Sequence, residues 1–228
     1  MWLEVEYIPT ALFSFKDINA TNTAATTLLF PTPFAVKMGL ISQCIQKYDI
    51  EKAENLFSGI KKKEMGFSLP DIAVINKTFG RINDLRNRTG RSKPAYREYV
   101  YFKGVLKVAI NIENMDIETV KILKELFIRI NYFGKKGSFM QYKRCREVES
   151  ISSDYVSLLN EDYNLNLSNK SIIQQTEDIP AEASFEAINI YNSDEKLNRK
   201  DNEKVFVVNV METFSGEGYQ YFTLTKNN

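Results

Sequence analysis

The chain of 228 residues contains no histidine, only two cysteines and a single tryptophan. Without histidine it lacks the most common general acid or base, the most common zinc ligand and the usual partner of a serine or cysteine nucleophile. The two cysteines, Cys44 and Cys145, are far apart in the sequence and do not predict a disulfide framework. These absences argue against a conventional nucleophile–base enzyme and against a zinc site.

Long apolar runs are also missing, and none approaches the roughly 20 residues that a membrane-spanning helix requires. The opening segment, Met1–Tyr7, carries acidic residues where a signal peptide would carry positive charge. We find no Walker lysine loop, no dinucleotide-binding fingerprint and no metal-ligand spacing. We therefore expect a cytoplasmic protein without a cofactor, a metal or a membrane partner.

The formal net charge of +1 conceals two opposed blocks of charge. From Lys77 to Arg146 the chain has 17 basic residues against 6 acidic ones, and from Glu147 to Glu203 it has 4 basic residues against 13 acidic ones. One such run alone is usually a solvated face, but two opposed runs of this size favour a basic surface for a polyanion.

Local signals predict three helices. Thr32 is an N-cap candidate, Pro33 suits the first helical position, and apolar residues follow at helical spacing as far as Tyr48. A short helix is predicted over 49–57. Asp116 is expected to cap the last helix, whose apolar stripe extends to Ile130.

Strands are predicted at 2–15, at 99–112 with a bend near Gly104, and at 139–145. The breakers between 64 and 97 predict an irregular insertion that contains the second core strand at about 67–75. We predict an α+β fold: residues 1–147 form a ferredoxin-like βαββαβ core with a basic insertion at about 61–97. Residues 148–228 are predicted to form an acidic C-terminal extension, whose strands cover or extend the sheet.

A glycine-rich loop is predicted where the last core helix turns into the last core strand. Gly134 and Gly137 allow positive φ and a close approach to a phosphate, while Lys135 and Lys136 supply charge. The alternative is a plain turn with Gly134 as the C-cap of the helix.

The insertion is the second candidate binding segment. Between Lys77 and Lys107 it has nine basic residues against Asp84 and Glu98. Basic side chains interleaved with aromatic rings suit single-stranded nucleic acid, although a solvated loop with core-facing tyrosines explains the pattern equally well. The interleaved aromatic residues are Phe79, Tyr96, Tyr99, Tyr101 and Phe102.

Three stretches of the sequence resemble the Cas five subunit of type I CRISPR interference complexes (Cascade), a family of the RAMP superfamily. They are the opening strand with Pro9 and Ser14-Phe15-Lys16, the proline-led helix at Pro31–Leu40, and the loop at Asn131–Phe139. The resemblance covers roughly the first 145 residues and implies an RRM/RAMP-type ferredoxin-like core, in which the basic insertion is thumb-like.

The resemblance also implies a function. Subunits of this family hold the 5′ handle of the CRISPR RNA, cap the filament of backbone subunits and contact the large subunit, so target DNA is an indirect partner. We expect this chain to bind the CRISPR RNA without cutting it, because the histidine of the cutting members is absent. The expected RNA-binding residues are Lys37, Arg81, Arg86, Arg88, Arg91, Lys93, Gly134, Lys135, Lys136, Gly137 and Ser138.

Two alternatives remain open from the sequence. The chain is a metal-independent endoribonuclease that processes CRISPR precursor RNA with Tyr132 or Tyr142 and a lysine, or it is an assembly protein whose charged blocks bind only protein partners.

Overall fold

The computed structural model describes residues 1–21, 24–83, 92–159, 170–189 and 197–224. In these ranges the fold is mixed α+β, with three α-helices and a predominance of β-sheet. In chain order the elements are β1 (Trp2–Pro9), β2 (Phe15–Lys16), β3 (Ala24–Ala25), β4 (Thr27–Leu28), α1 (Pro33–Lys47), α2 (Ile50–Ile60), β5 (Met65–Ser68), β6 (Ile72–Asn83), β7 (Ser92–Lys103), β8 (Leu106–Asn111), α3 (Ile117–Arg129), β9 (Met140–Val148), β10 (Ser157–Leu158), β11 (Lys170–Glu177), β12 (Glu203–Gly216) and β13 (Tyr219–Leu224), with short 3-10 helices at Glu186–Ile188 and Arg199–Asn202.

The first sheet has four strands in the order β5-β8-β1-β9, and all neighbours are antiparallel. Helices α1 and α2 connect β1 to β5, and α3 connects β8 to β9. Leu3, Val5 and Tyr7 of the inner strand β1 are fully buried. The Tyr7 hydroxyl donates a 2.7 Å hydrogen bond to the carbonyl of Phe127, so this face of the sheet packs on α3.

The three predicted helices are confirmed, and so are the two predicted caps, Thr32 and Asp116. The Thr32 hydroxyl accepts from the Ala35 amide, and Pro33 is the first residue of α1. The carboxylates of Asp49 and Asp116 cap α2 and α3 in the same way. A cap satisfies amide donors that have no partner within the helix, which explains why this local signal located the helix starts correctly.

The prediction of an irregular segment at 64–97 is wrong for the described part of that segment. It contains β5 and most of a long hairpin, in which β6 and β7 pair from Ile72↔Lys103 to Asn83↔Ser92. The outer half of the hairpin extends beyond the core. Its strands therefore carry polar and basic residues and lack the apolar alternation that predicts a strand.

The chain passes between the two sheets at Gly104, where the predicted bend is confirmed. Gly104 has φ of +136°, and a Cβ atom there would lie 2.9 Å from the Cβ atom of Pro70. The strand β7 before the bend belongs to the second sheet, and β8 after it belongs to the first. Glycine is required at this corner because of both the positive φ and the close packing.

The C-terminal strands do not extend the first sheet. They build the second one, which follows the order β10-β12-β13-β6-β7-β3, with β11 also paired to β12. The two sheets share one hydrophobic core: the ring of Phe30 stacks on Phe67 of β5 at 4.8 Å and meets Phe206 of β12 edge-on at 5.3 Å. Across the described ranges no helix is long and apolar enough to span a bilayer.

Candidate nucleic-acid interface

The glycine-rich loop lies between α3 and β9, as predicted. Gly134 and Gly137 have φ of 62° and 104°, so both occupy the left-handed region that the sequence led us to expect. A bridge between Tyr132 and Phe139 closes the base of the loop. Lys135 and Lys136 are exposed at its tip. The loop therefore presents two ammonium groups on a backbone that can approach a phosphate closely.

The base of the loop is anchored in the core. Phe133 is fully buried, and its ring packs edge-on against Tyr7 with centroids 5.1 Å apart. Ser138 is 2% exposed, and its hydroxyl accepts from the Ser14 amide and donates to the Ser14 carbonyl. Ser138 thus joins the loop to the N-terminal segment instead of facing solvent, so its position does not suit the direct RNA contact we expected.

A groove of about 610 Å³ separates the loop from α1. At Gly134 the loop comes close to α1: a Cβ atom on this glycine would lie 3.8 Å from the Cβ atom of Ala35. The groove offers apolar surface for a base or a ribose, with the Lys135 ammonium at its rim for a phosphate. Its lining includes Phe15, Phe34, Ala35, Met38, Ile130, Tyr132, Gly134 and Lys135.

Lys37 lies on α1 but does not face this groove. It is fully buried, and its ammonium contacts both carboxylate oxygens of Asp178, at 2.7 and 2.9 Å, and the carbonyl of Lys61. Burial lowers the pKa of Lys37 and raises that of Asp178, and the attraction between the two charges partly offsets both shifts. The structure corrects the assignment of Lys37 as an RNA contact, because its charge is already paired inside the core.

The predicted residues of the insertion belong to the hairpin. Arg81 and Lys93 are exposed, and the pairing register places them on opposite faces of the hairpin. Nearby, Phe79 and Tyr96 form an exposed pair with ring centroids 5.1 Å apart. The expected contacts Arg86, Arg88 and Arg91 lie outside the described residues.

One charged cluster was not predicted from the sequence. Glu4 and Glu6 alternate with the buried apolar residues of β1, and each is only 3% exposed. A register shift between β1 and β9 places both Lys143 and Arg144 beside Glu6, and the Arg146 guanidinium bonds Glu4. The sequence does contain a signal for this cluster. Acidic residues at alternate positions of a central strand require cationic partners on the neighbouring strands.

These ion pairs shift the titration of Glu6. The hydrogen bond from Arg144 is the largest cause of a lowered pKa for this carboxyl, opposed by burial and supported by Lys143. The unfolded chain then binds more protons than the folded one in the interval just below the ordinary value of 4.5. The Glu6 carboxylate thus stabilises the fold above that value, and the stabilisation is lost as the pH falls through the folded pKa.

We expect Glu6→Gln to lower the free energy of unfolding by about 1–3 kcal/mol near pH 7, because it leaves hydrogen-bonded cations partly unpaired. The difference from the parent protein should shrink when urea denaturation is repeated at about pH 4. Glu149→Gln, at an exposed position, is the matched control and should change little at either pH. An unchanged difference across this interval would contradict the assignment.

Tyr132 and Tyr142 are the two tyrosines of the endoribonuclease alternative. Tyr132 is half-buried and lines the groove. The pKa of Tyr142 is raised, chiefly by burial, which disfavours the phenolate that a general base would need. Among the described residues no three cysteine, aspartate or glutamate side chains are grouped in a way that would hold a metal ion.

Comparisons with known proteins identify a curated homologue. The chain is 23% identical over 200 residues to the CRISPR-associated protein Cas5 of Archaeoglobus fulgidus, covering 84% of this chain and 85% of that protein. This match confirms the resemblance predicted from the sequence. No protein-family model matches the chain.

The fold is also found among solved structures. A crystal structure of a CRISPR protein from Archaeoglobus fulgidus aligns over 98% of this chain and 92% of its own, with a TM-score of 0.51 and 12% identity. A chain of a CRISPR RNA-guided surveillance complex aligns with a TM-score of only 0.42, which is too low to support a shared fold.

Proposed function

We propose that this chain, a homologue of a CRISPR-associated Cas5 protein, binds the 5′ handle of a CRISPR RNA in a type I interference complex and does not cut it. The observation that carries the proposal is the anchored loop with two left-handed glycines and two exposed lysines beside a groove. The loop amides and lysines contact handle phosphates, and the groove receives a base or ribose of the handle.

The architecture proposed for the core is ferredoxin-like. Supporting it are the order strand, helices, strand, strand, helix, strand and the sheet order β5-β8-β1-β9 with antiparallel neighbours. In this arrangement the loop before the last core strand is placed next to the first helix. The groove lies between this loop and the first helix.

The basic hairpin acts as the second RNA contact. Phe79, Tyr96, Arg81 and Lys93 are exposed on it, and they combine aromatic rings with positive charge. In the proposed complex the hairpin clamps the RNA against a neighbouring backbone subunit. Contacts with that subunit and with the large subunit complete the assembly, and target DNA is reached through them.

The proposal of a non-catalytic role rests on chemistry. The chain has no histidine, and burial of Tyr142 disfavours its ionised form. Tyr132 and Lys135 both line the groove, which is the specific observation in favour of an endoribonuclease.

The experiment is to tag the chain in its native host, purify it gently and sequence the RNA that accompanies it. Short RNAs with one constant 5′ segment followed by variable spacers are the expected result, and a mock purification without the tag is the control. Heterogeneous RNA would contradict handle binding, and the absence of RNA would favour the protein-only assembly role. Incubating the purified chain with precursor repeat RNA in a chelator tests cleavage, and specific scission would establish the endoribonuclease instead.

A further inference from the structure

The outer face of the second sheet carries two matched pairs of tyrosines. Tyr99 and Tyr101 lie on β7, and Tyr219 and Tyr221 lie on β13. The strand between them, β6, pairs with both. The registers align Tyr101 and Tyr221 with Val74, and Tyr99 and Tyr219 with Asn76.

Cross-strand partners share a face of a sheet, so the four rings lie on one face. The alternate residues of the same strands, Ile75, Val100 and Phe222, are buried in the core and show that the tyrosine face points away from it. We call this feature the tyrosine channel: Tyr99 and Tyr101 form one wall, Tyr219 and Tyr221 form the other, and Val74 and Asn76 form the floor.

The dimensions of the channel follow from sheet geometry. Neighbouring strands lie about 4.8 Å apart, so the backbones that carry the two walls are about 9.5 Å apart. Successive rings on one wall are separated by two residues, or about 6.7 Å. Two successive bases of an extended single strand can therefore each meet a ring of one wall.

Local packing holds the rings of the β13 wall in place. A Cβ atom on Gly216 would collide with the Tyr219 ring, so this ring lies directly over the glycine and a larger residue there would displace it. Phe214 contacts Tyr221 with ring centroids 6.0 Å apart. Tyr101 and Tyr219 nevertheless remain 49% and 45% exposed, which leaves ring surface available to a ligand.

Positive charge borders the channel at both ends of the β7 wall. Arg97, Tyr99, Tyr101 and Lys103 follow one another at alternate positions and share the outer face. In the described part of the chain neither Arg97 nor Lys103 forms an ion pair with an acidic side chain. The strands β6 and β7 together contain five basic residues and one acidic residue.

We propose that the tyrosine channel binds a single-stranded nucleic acid. Its bases stack on the tyrosine rings, and its phosphates contact Arg97 and Lys103. Two adjacent rings with a cation at each end favour this ligand over a protein partner, because bases can stack on the rings while flanking phosphates meet the cations. The channel belongs to the second sheet, so this site is separate from the handle-binding loop and goes beyond the proposed function.

The test uses the full chain and fluorescein-labelled oligo(dT) and oligo(U) of about 15 nucleotides, a length within the range that single-strand sites occupy. Binding is measured by fluorescence anisotropy. Tyr101→Leu combined with Tyr219→Leu keeps apolar area but removes the aromatic faces, and affinity should fall by at least about tenfold. The matched Tyr101→Phe and Tyr219→Phe variant keeps the faces and should bind within about threefold of the parent.

Each outcome decides the proposal. Loss in the leucine variant with retention in the phenylalanine variant supports stacking, and the stronger of the two oligonucleotides identifies DNA or RNA as the ligand. Equal affinity in all three proteins overturns the proposal, and so does equal loss in both variants. A leucine variant that binds oligonucleotide normally but fails to join other subunits would instead make this face a protein interface.

Two controls separate this site from the loop. Circular dichroism should show that both variants fold, since the substituted rings are about half exposed. Replacing Lys135 and Lys136 with alanine should weaken handle RNA while leaving oligo(dT) binding in place. If that replacement alone abolished oligo(dT) binding, the channel would not be the site.

Discussion

Replacing Asp178 with asparagine should lower the free energy of unfolding by about 3–5 kcal/mol, the usual effect of leaving a buried charge without its partner. The Lys37 ammonium is fully buried and contacts both Asp178 oxygens, so the asparagine leaves a positive charge in the core without a counter-charge. Urea denaturation followed by circular dichroism measures the loss. A change below about 1 kcal/mol would contradict a central role for this pair.

The pH dependence of this variant has a definite sign. Burial already lowers the pKa of Lys37 in the parent protein, and removing the carboxylate takes away the attraction that opposes this shift. The unfolded chain then binds more protons at this lysine than the folded chain does, so stability rises with pH. The Asp178→Asn variant should recover part of its lost stability at about pH 9.5.

A double variant supplies the matched control. Lys37→Met combined with Asp178→Leu removes both charges and fills similar volume, and such replacements are often close to neutral. We expect it to be at least about 2 kcal/mol more stable than Asp178→Asn. If the double variant were as unstable as the single one, packing and not charge would explain the loss.

This ion pair also explains what the acidic C-terminal region contributes to the proposed site. Asp178 directly follows β11, and Lys37 lies on the helix that forms one wall of the groove. The C-terminal region therefore stabilises the position of α1 opposite the glycine-rich loop. We expect the Asp178→Asn variant to lose handle affinity as well, in parallel with its loss of stability.

Replacing Lys135 and Lys136 with alanine should weaken binding of handle RNA by about 10- to 100-fold, since hydrogen bonds to charged groups contribute about 1.5 kcal/mol or more each. Both lysines are exposed at the tip of the loop between two left-handed glycines, so their removal should leave the fold intact. The dependence of log affinity on log salt should become shallower by about one unit for each lysine that contacts a phosphate.

The control for this prediction is the pair Lys62→Ala and Lys121→Ala, two exposed lysines outside the loop. It changes the net charge by the same amount and should leave the salt dependence nearly unchanged. Lys135→Arg with Lys136→Arg should retain most of the affinity, because the charge is kept. Unchanged affinity and slope in the alanine variant would show that the loop does not bind the RNA.

Local sequence signals determined the helices and the loop. The caps at Thr32, Asp49 and Asp116, the proline at position 33 and the two glycines of the loop act through neighbouring backbone groups. Such interactions need no distant partner, so they could be identified before any tertiary structure was known. The positive φ values at Gly134 and Gly137 belong to this class.

Only the tertiary structure decided the roles that depend on distant partners. The hairpin strands are polar in their outer half, and the pairing of β6 with β13 joins segments more than a hundred residues apart. The sequence does not distinguish Lys37 from an exposed basic residue of a helix, because its partner Asp178 is distant in the chain. The tyrosine channel likewise exists only because β6 lies between β7 and β13. Periodicity shows which residues share a face of one element, but burial and charge pairing depend on which element covers that face.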